Sequence, residues 1–119
     1  MIIAKITMSA LSEKRKEVFQ TLLSLVAAIR QEKGCRSCQG FQDIENESVF
    51  NLVGEWQTHE DLERHIRSDR FGVLVGSRIL LDKNQEIQVY TVSHAEGSEI
   101  VNAVRGKKNL HRFQVSDKK

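Results

Sequence analysis

The chain has 119 residues, of which 39% are hydrophobic, enough to close one core and too few to close two. Its net charge is +2, and the surplus lies at one end: residues 1–94 carry 12 basic against 13 acidic side chains, residues 95–119 carry 6 against 3. A body this close to neutral argues against a nucleic-acid surface, and the longest apolar stretch, Val18 to Ile29, is interrupted by Gln20 and Ser24, short of the roughly 20 residues that cross a membrane.

The opening run Met1-Ile2-Ile3-Ala4-Lys5-Ile6 has neither a basic leader nor a small-residue cleavage site, so no signal peptide is expected and the expected address is the cytoplasm. Residues 2–8 are β-branched and apolar, which predicts a buried first strand. Ser12 is placed to cap a helix over about Glu13 to Lys33, with Val18, Leu22, Leu25 and Ile29 on one stripe and Phe19, Leu23 and Val26 widening it. Gly34 stops that helix, because a residue without a Cβ can turn left-handed. Two strands follow, about Cys35–Ile44 and Val49–Gln57, joined by the polar turn Glu45-Asn46-Glu47-Ser48.

The only cysteines, Cys35 and Cys38, open the second strand. Positions i and i+3 of a regular strand face opposite sides, which argues against a redox pair. His59, His65, His94 and His111 supply no H-x3-5-H partner for them, so no metal is expected. Thr58 then caps a short helix with Asp61 in a capping-box position and Leu62, His65 and Ile66 on one face. Ser68-Asp69 starts another helical stretch to about Leu81, carrying Phe71, Leu74, Val75 and Ile79. The turn Asp82-Lys83-Asn84 leads into a last strand over Glu86–Val92. The order β-α-β-β-α-β predicts an α+β fold, the ferredoxin-like split βαβ with a four-stranded antiparallel sheet. Helices cover one face of such a sheet, and an identical subunit is the simplest cover for the other, so a homodimer is expected. Residues 95–119 read as a C-terminal extension to a domain of residues 1–94. A short helix over 98–105 ends at Gly106, a brief strand spans Leu110–Val115, and the whole packs on the partner subunit.

Two stretches carry a family resemblance. Glu32-Lys33-Gly34-Cys35 resembles a helix-ending Glu-x-Gly-Cys, and Leu52-Val53-Gly54-Glu55-Trp56-Gln57-Thr58-His59-Glu60-Asp61-Leu62, followed by His65 and Ser68-Asp69-Arg70-Phe71, resembles a strand, Trp, helix, His, Ser-x-x-Phe signature. Both belong to the antibiotic biosynthesis monooxygenase family of dimeric α+β barrel proteins. The resemblance spans residues 1–93. It implies a cofactor-independent monooxygenase acting on a small phenolic or quinol aromatic and dioxygen. A non-oxidative isomerase or lyase, or a ligand-binding dimer, are the alternatives within the same architecture. The family's haem-degrading branch uses an Asn on the first strand, a Trp on the second helix and an axial His on the third. Thr7, His65 and Val75 stand at those places, which argues against haem.

Within that frame His65 is the candidate catalytic base, since an imidazole can take a proton from a phenol near neutral pH; the competing role is a structural bridge to a carboxylate or carbonyl. Glu55 either orients His65 or anchors an arginine at the dimer interface. Asn51, on the same strand face as Glu55, is a candidate hydrogen-bond donor to a substrate oxygen. Trp56 is expected on the opposite sheet face, packing between subunits. Phe41, Phe71, Leu74 and Tyr90 are candidate pocket-lining residues, with ordinary core packing as the alternative.

Overall fold

A computed structural model of the chain describes residues 1–113, with side chains through residue 106. Four strands, β1 (Ile2–Ser9), β2 (Cys35–Gln42), β3 (Val49–Trp56) and β4 (Glu86–Thr91), and four helices, α1 (Arg15–Ile29), α2 (His59–Ile66), α3 (Asp69–Gly76) and α4 (Glu99–Phe113), follow one another as β1-α1-β2-β3-α2-α3-β4-α4. The sheet order is β2-β3-β1-β4 with every neighbouring pair antiparallel. This is the split βαβ arrangement expected from the element order. No helix among the described residues is long and apolar enough to cross a membrane.

The sheet's two faces are set by the alternation of its strands. Ile2, Ile6 and Met8 of β1 and Phe50, Leu52 and Trp56 of β3 point to one side and are buried beneath α1, α2 and α3, together with Val18, Leu22, Leu25, Val26 and Ile29 of α1. The opposite face is not the uniformly apolar surface a bare sheet would suggest. Register places Ile3, Val53 and Tyr90 there beside Lys5, Thr7, Asn51, Glu55, Glu86 and Gln88.

Several elements depart from their sequence boundaries. The first helix is shorter than Glu13–Lys33: a 3₁₀ turn at Ser12–Lys14 precedes it, no side chain caps that turn, and Ser12 Oγ bonds Glu13 instead. Past Ile29 the chain unwinds through Arg30, Gln31 and Glu32 to Gly34, whose φ of +83° is the left-handed turn a glycine was expected to make. The stretch after Asp69 divides into α3 and a 3₁₀ turn at Ser77–Leu80, and of its expected apolar stripe only Leu74 is fully buried; Val75 and Ile79 are exposed. In the extension, α4 runs helical through Gly106 to Phe113, so the expected helix stop and the strand from Leu110 are replaced by one helix. A helical glycine costs only about 1 kcal/mol and does not compel an end. Residues 114 and 115 lie outside the described residues.

Candidate functional site

The site forms where α2 crosses the Trp56 end of the sheet. Thr58 is extended and its hydroxyl accepts from the Asp61 backbone N–H at 3.1 Å while donating to Asp61 Oδ2 at 2.9 Å, a reciprocal cap that starts α2. Arg64 Nη1 donates to Asp61 Oδ1 at 2.7 Å, and this bond, with that from Thr58, holds the Asp61 carboxyl below its ordinary range. Gly34 lies hard against the cap: a Cβ there would overlap the Asp61 carboxyl group. Its backbone oxygen accepts from Gln57 N–H at 2.8 Å, which ties the start of β2 to the end of β3. The turn therefore carries Glu32, two residues upstream, alongside α2.

One turn past the cap, His65 faces inward and is only 5% exposed. Its ring stacks on the indole of Trp56, with centroids 4.6 Å apart, and meets the edge of Phe71 at 5.3 Å. Ser68 aims that phenyl ring: its hydroxyl donates to His65 O at 2.6 Å and accepts from the Phe71 N–H at 3.2 Å, breaking α2 from α3. His65 Nδ1 lies 2.8 Å from Glu32 Oε1, and Glu32 Oε2 accepts from Arg70 Nη1 at 2.9 Å. Beside His65 is a half-open hollow of about 130 Å³ walled by Ala4, Ile6, Leu52, Gly54, Ile87 and Val89 from the sheet and by Ile29, Leu62, Ile66 and Phe71 from the helices, with Trp56 and Cys38 also in its wall. His65 is the one titratable group in this wall apart from the Cys38 thiol, which burial pushes up to about 11.

The candidate residues separate into two groups. His65 and Phe71 meet in the hollow, while Leu74 is buried in the core behind it and is not part of its wall. Asn51 and Glu55 stand on the opposite face of the sheet, opposite Thr7 and Ile3 in the register, where Thr7 Oγ1 donates to Asn51 Oδ1 at 2.6 Å. Neither reaches His65, so Glu55 does not orient it. Tyr90 shares that outer face, its hydroxyl bonded to Gln88 at 2.8 Å, and Phe41 lies at the β2 edge in the wall of a second, larger hollow of about 370 Å³ with Phe19 and Leu23. Trp56, expected between subunits, is instead 1% exposed beneath α2. The odd positions of β3, Asn51 and Glu55, share one face as alternation predicts, but the hollow lies on the other, formed by Leu52, Gly54 and Trp56.

The cysteines also depart from expectation. A bulge between Cys35 and Ser37 sets Cys35 opposite Trp56 and Cys38 opposite Gly54, so both lie on the inner face. Burial raises the Cys35 thiol as well, with Glu32 adding to the shift, which leaves two poorly nucleophilic thiols. No group of three or more His, Cys, Asp and Glu side chains among the described residues could hold a metal ion. Glu32 and Arg70 were not singled out from the sequence; the signal for Glu32 was the Glu-x-Gly-Cys run itself, whose glycine fixes where the carboxylate goes.

Comparison with known proteins agrees with this architecture. The family model described as antibiotic biosynthesis monooxygenase matches residues 1–76. A conserved protein from Methanosarcina mazei Go1 superposes with a TM-score of 0.70 at 30% identity, covering 75% of this chain and 89% of its own. A Deinococcus radiodurans protein gives a TM-score of 0.77 at 22% identity over 82% and 97% of the two chains, and a structure described as an antibiotic biosynthesis monooxygenase gives 0.72 at 20% over 79% and 100%. No curated protein matches the sequence.

Proposed function

The chain belongs to the antibiotic biosynthesis monooxygenase family, and from that premise we propose that it is a cofactor-independent monooxygenase of small single-ring phenols or quinols, with His65 as the proton acceptor. The observation that carries the reading is the apolar hollow of about 130 Å³ with one buried imidazole in its wall, backed by a carboxylate. An apolar cavity of about 150 Å³ is known to admit benzene, so the hollow has room for about one six-membered ring. Against the indole and phenyl faces the ring lies with its hydroxyl toward His65 Nε2.

The chemistry needs no external reductant. The phenol O–H bond breaks and an N–H bond forms at Nε2, leaving an electron-rich phenolate that can pass an electron to dioxygen held beside it. Recombination at a ring carbon and loss of water turn phenol plus dioxygen into quinone plus water, which balances in atoms and electrons. The protein contributes proximity and a dry surround.

We read the working form as a cytoplasmic homodimer closed by the outer sheet face, where Ile3, Val53 and Tyr90 alternate with half-buried Lys5 and Glu55. Exposed Ile100, Val101 and Val104 along α4 suit a helix laid on the partner subunit, beyond the boundary of the domain at residue 94.

Oxygen uptake with a panel of one-ring and two-ring hydroquinones tests the reading. Uptake with the single rings, reduced at least a hundredfold in His65→Ala, supports it. No uptake with any of them, while a His65-dependent proton exchange occurs beside a carbonyl, would assign an isomerase or lyase instead.

A further inference from the structure

We infer that Glu32 is a positioning residue that locks His65 in one tautomer, proton on Nδ1 and lone pair on Nε2, and that Arg70 holds Glu32 for this task. The inference rests on the reading of His65 as proton acceptor and deepens it.

Geometry on three sides of the ring leads there. Nδ1 faces Glu32 Oε1 at 2.8 Å. An ionised carboxylate only accepts hydrogen bonds, so the ring nitrogen facing it must carry the proton. A carboxylate as enclosed as this one, with a side chain only 15% exposed, needs a countercharge, and Arg70 Nη1 supplies one at 2.9 Å on the other oxygen. Arg70 thus occupies one carboxylate oxygen of Glu32 and leaves the other to face the ring nitrogen. Stacking on Trp56 and the edge of Phe71 fix the plane of the ring, so the carboxylate selects between two nitrogens and nothing else.

The consequence falls on the opposite nitrogen. No described residue hydrogen-bonds Nε2, and no buried polar side-chain atom among the described residues is left without a partner. Nε2 is therefore a bare acceptor that is not sealed in, and in the hollow that His65 lines the ligand that completes it is a neutral ring bearing an O–H donor. When that proton arrives, the imidazolium forms directly against Glu32, which stabilises it, as the buried aspartate does for the histidine of a serine protease. The route Arg70, Glu32, His65 runs from a partly exposed guanidinium to the hollow wall.

The full-length protein labelled with ¹⁵N-histidine tests this by long-range ¹H–¹⁵N correlation at a pH where the imidazoles are neutral. The ligand-free wild type is expected to show His65 protonated at Nδ1 and bare at Nε2, and Glu32→Ala to lose that bias. A wild-type ring protonated at Nε2 overturns the assignment whatever the activity. In turnover of a hydroquinone, Glu32→Ala is expected to lower kcat about a hundredfold with KM within about twofold; an unchanged kcat also overturns it. An Nδ1-protonated ring in a protein that consumes no oxygen upholds the tautomer assignment and tells against the oxygenase reading alone.

Discussion

Substituting Ala4 by valine tests whether the hollow is empty space kept for a ligand. Ala4 lies on β1 between Gly54 and Val89 in the register, with its methyl group in the hollow wall. Valine adds two methyl-sized groups at about 0.8 kcal/mol each, and its branched Cβ suits a central strand. After some strain against Val89, a net gain of about 1 kcal/mol follows, or a rise of about 4 °C in Tm. The same two groups take the space a ring would occupy, so affinity for a single-ring phenol should drop at least tenfold. Thermal unfolding and ligand titration of the two proteins read both effects. A loss of 1 kcal/mol or more, with phenol affinity unchanged, would refute the reasoning, because it would mean that the site is already filled.

Gly34→Ala should destabilise by about 2 kcal/mol or more, since it forces a Cβ into both a left-handed φ and the Asp61 carboxyl; urea unfolding measures it, and a loss under 0.5 kcal/mol contradicts the close approach. Asp61 has a folded pKa below its unfolded one through Arg64 and then Thr58, so its contribution is full above about pH 5 and fades as pH falls through the folded value. The difference in urea midpoint between wild type and Asp61→Asn should accordingly shrink between pH 7 and pH 3, and a pH-independent difference would contradict it. Truncation after residue 94 should weaken dimerisation by sedimentation velocity, and unchanged sedimentation would remove α4 from the interface.

The hydrophobic period, the turns and some of the caps were legible along the chain, because each is a local matter: Thr58 and Asp61 cap α2 and Gly34 takes the positive φ, whereas Ser12 caps nothing and Gly106 ends no helix. The site was legible only in part. His65 could be assigned to an inward helix face from Leu62 and Ile66, although Ile66 itself stays 44% exposed at the rim of the hollow. On β3 the alternation was legible, with Asn51, Val53 and Glu55 on one face and Trp56 on the other, but alternation alone does not say which face the helices cover and the site occupies. The bulge at Cys35/Ser37 is likewise invisible to an alternation rule, yet it moves Cys38 into the wall. Glu32 could not be paired with His65 from spacing, since 33 residues and a left-handed turn separate them.

The central claim is that one neutral ring with a hydroxyl enters the hollow and meets His65, and Trp56 reports on it directly as the sole tryptophan of the chain. Titration with 4-methylphenol, followed by the indole N–H resonance together with the His65 ring nitrogens, should give one saturable binding curve for both groups. That curve should move to at least tenfold higher phenol concentration in Ala4→Val. Saturable binding that leaves both rings unshifted, or no binding up to the solubility limit, would contradict the account.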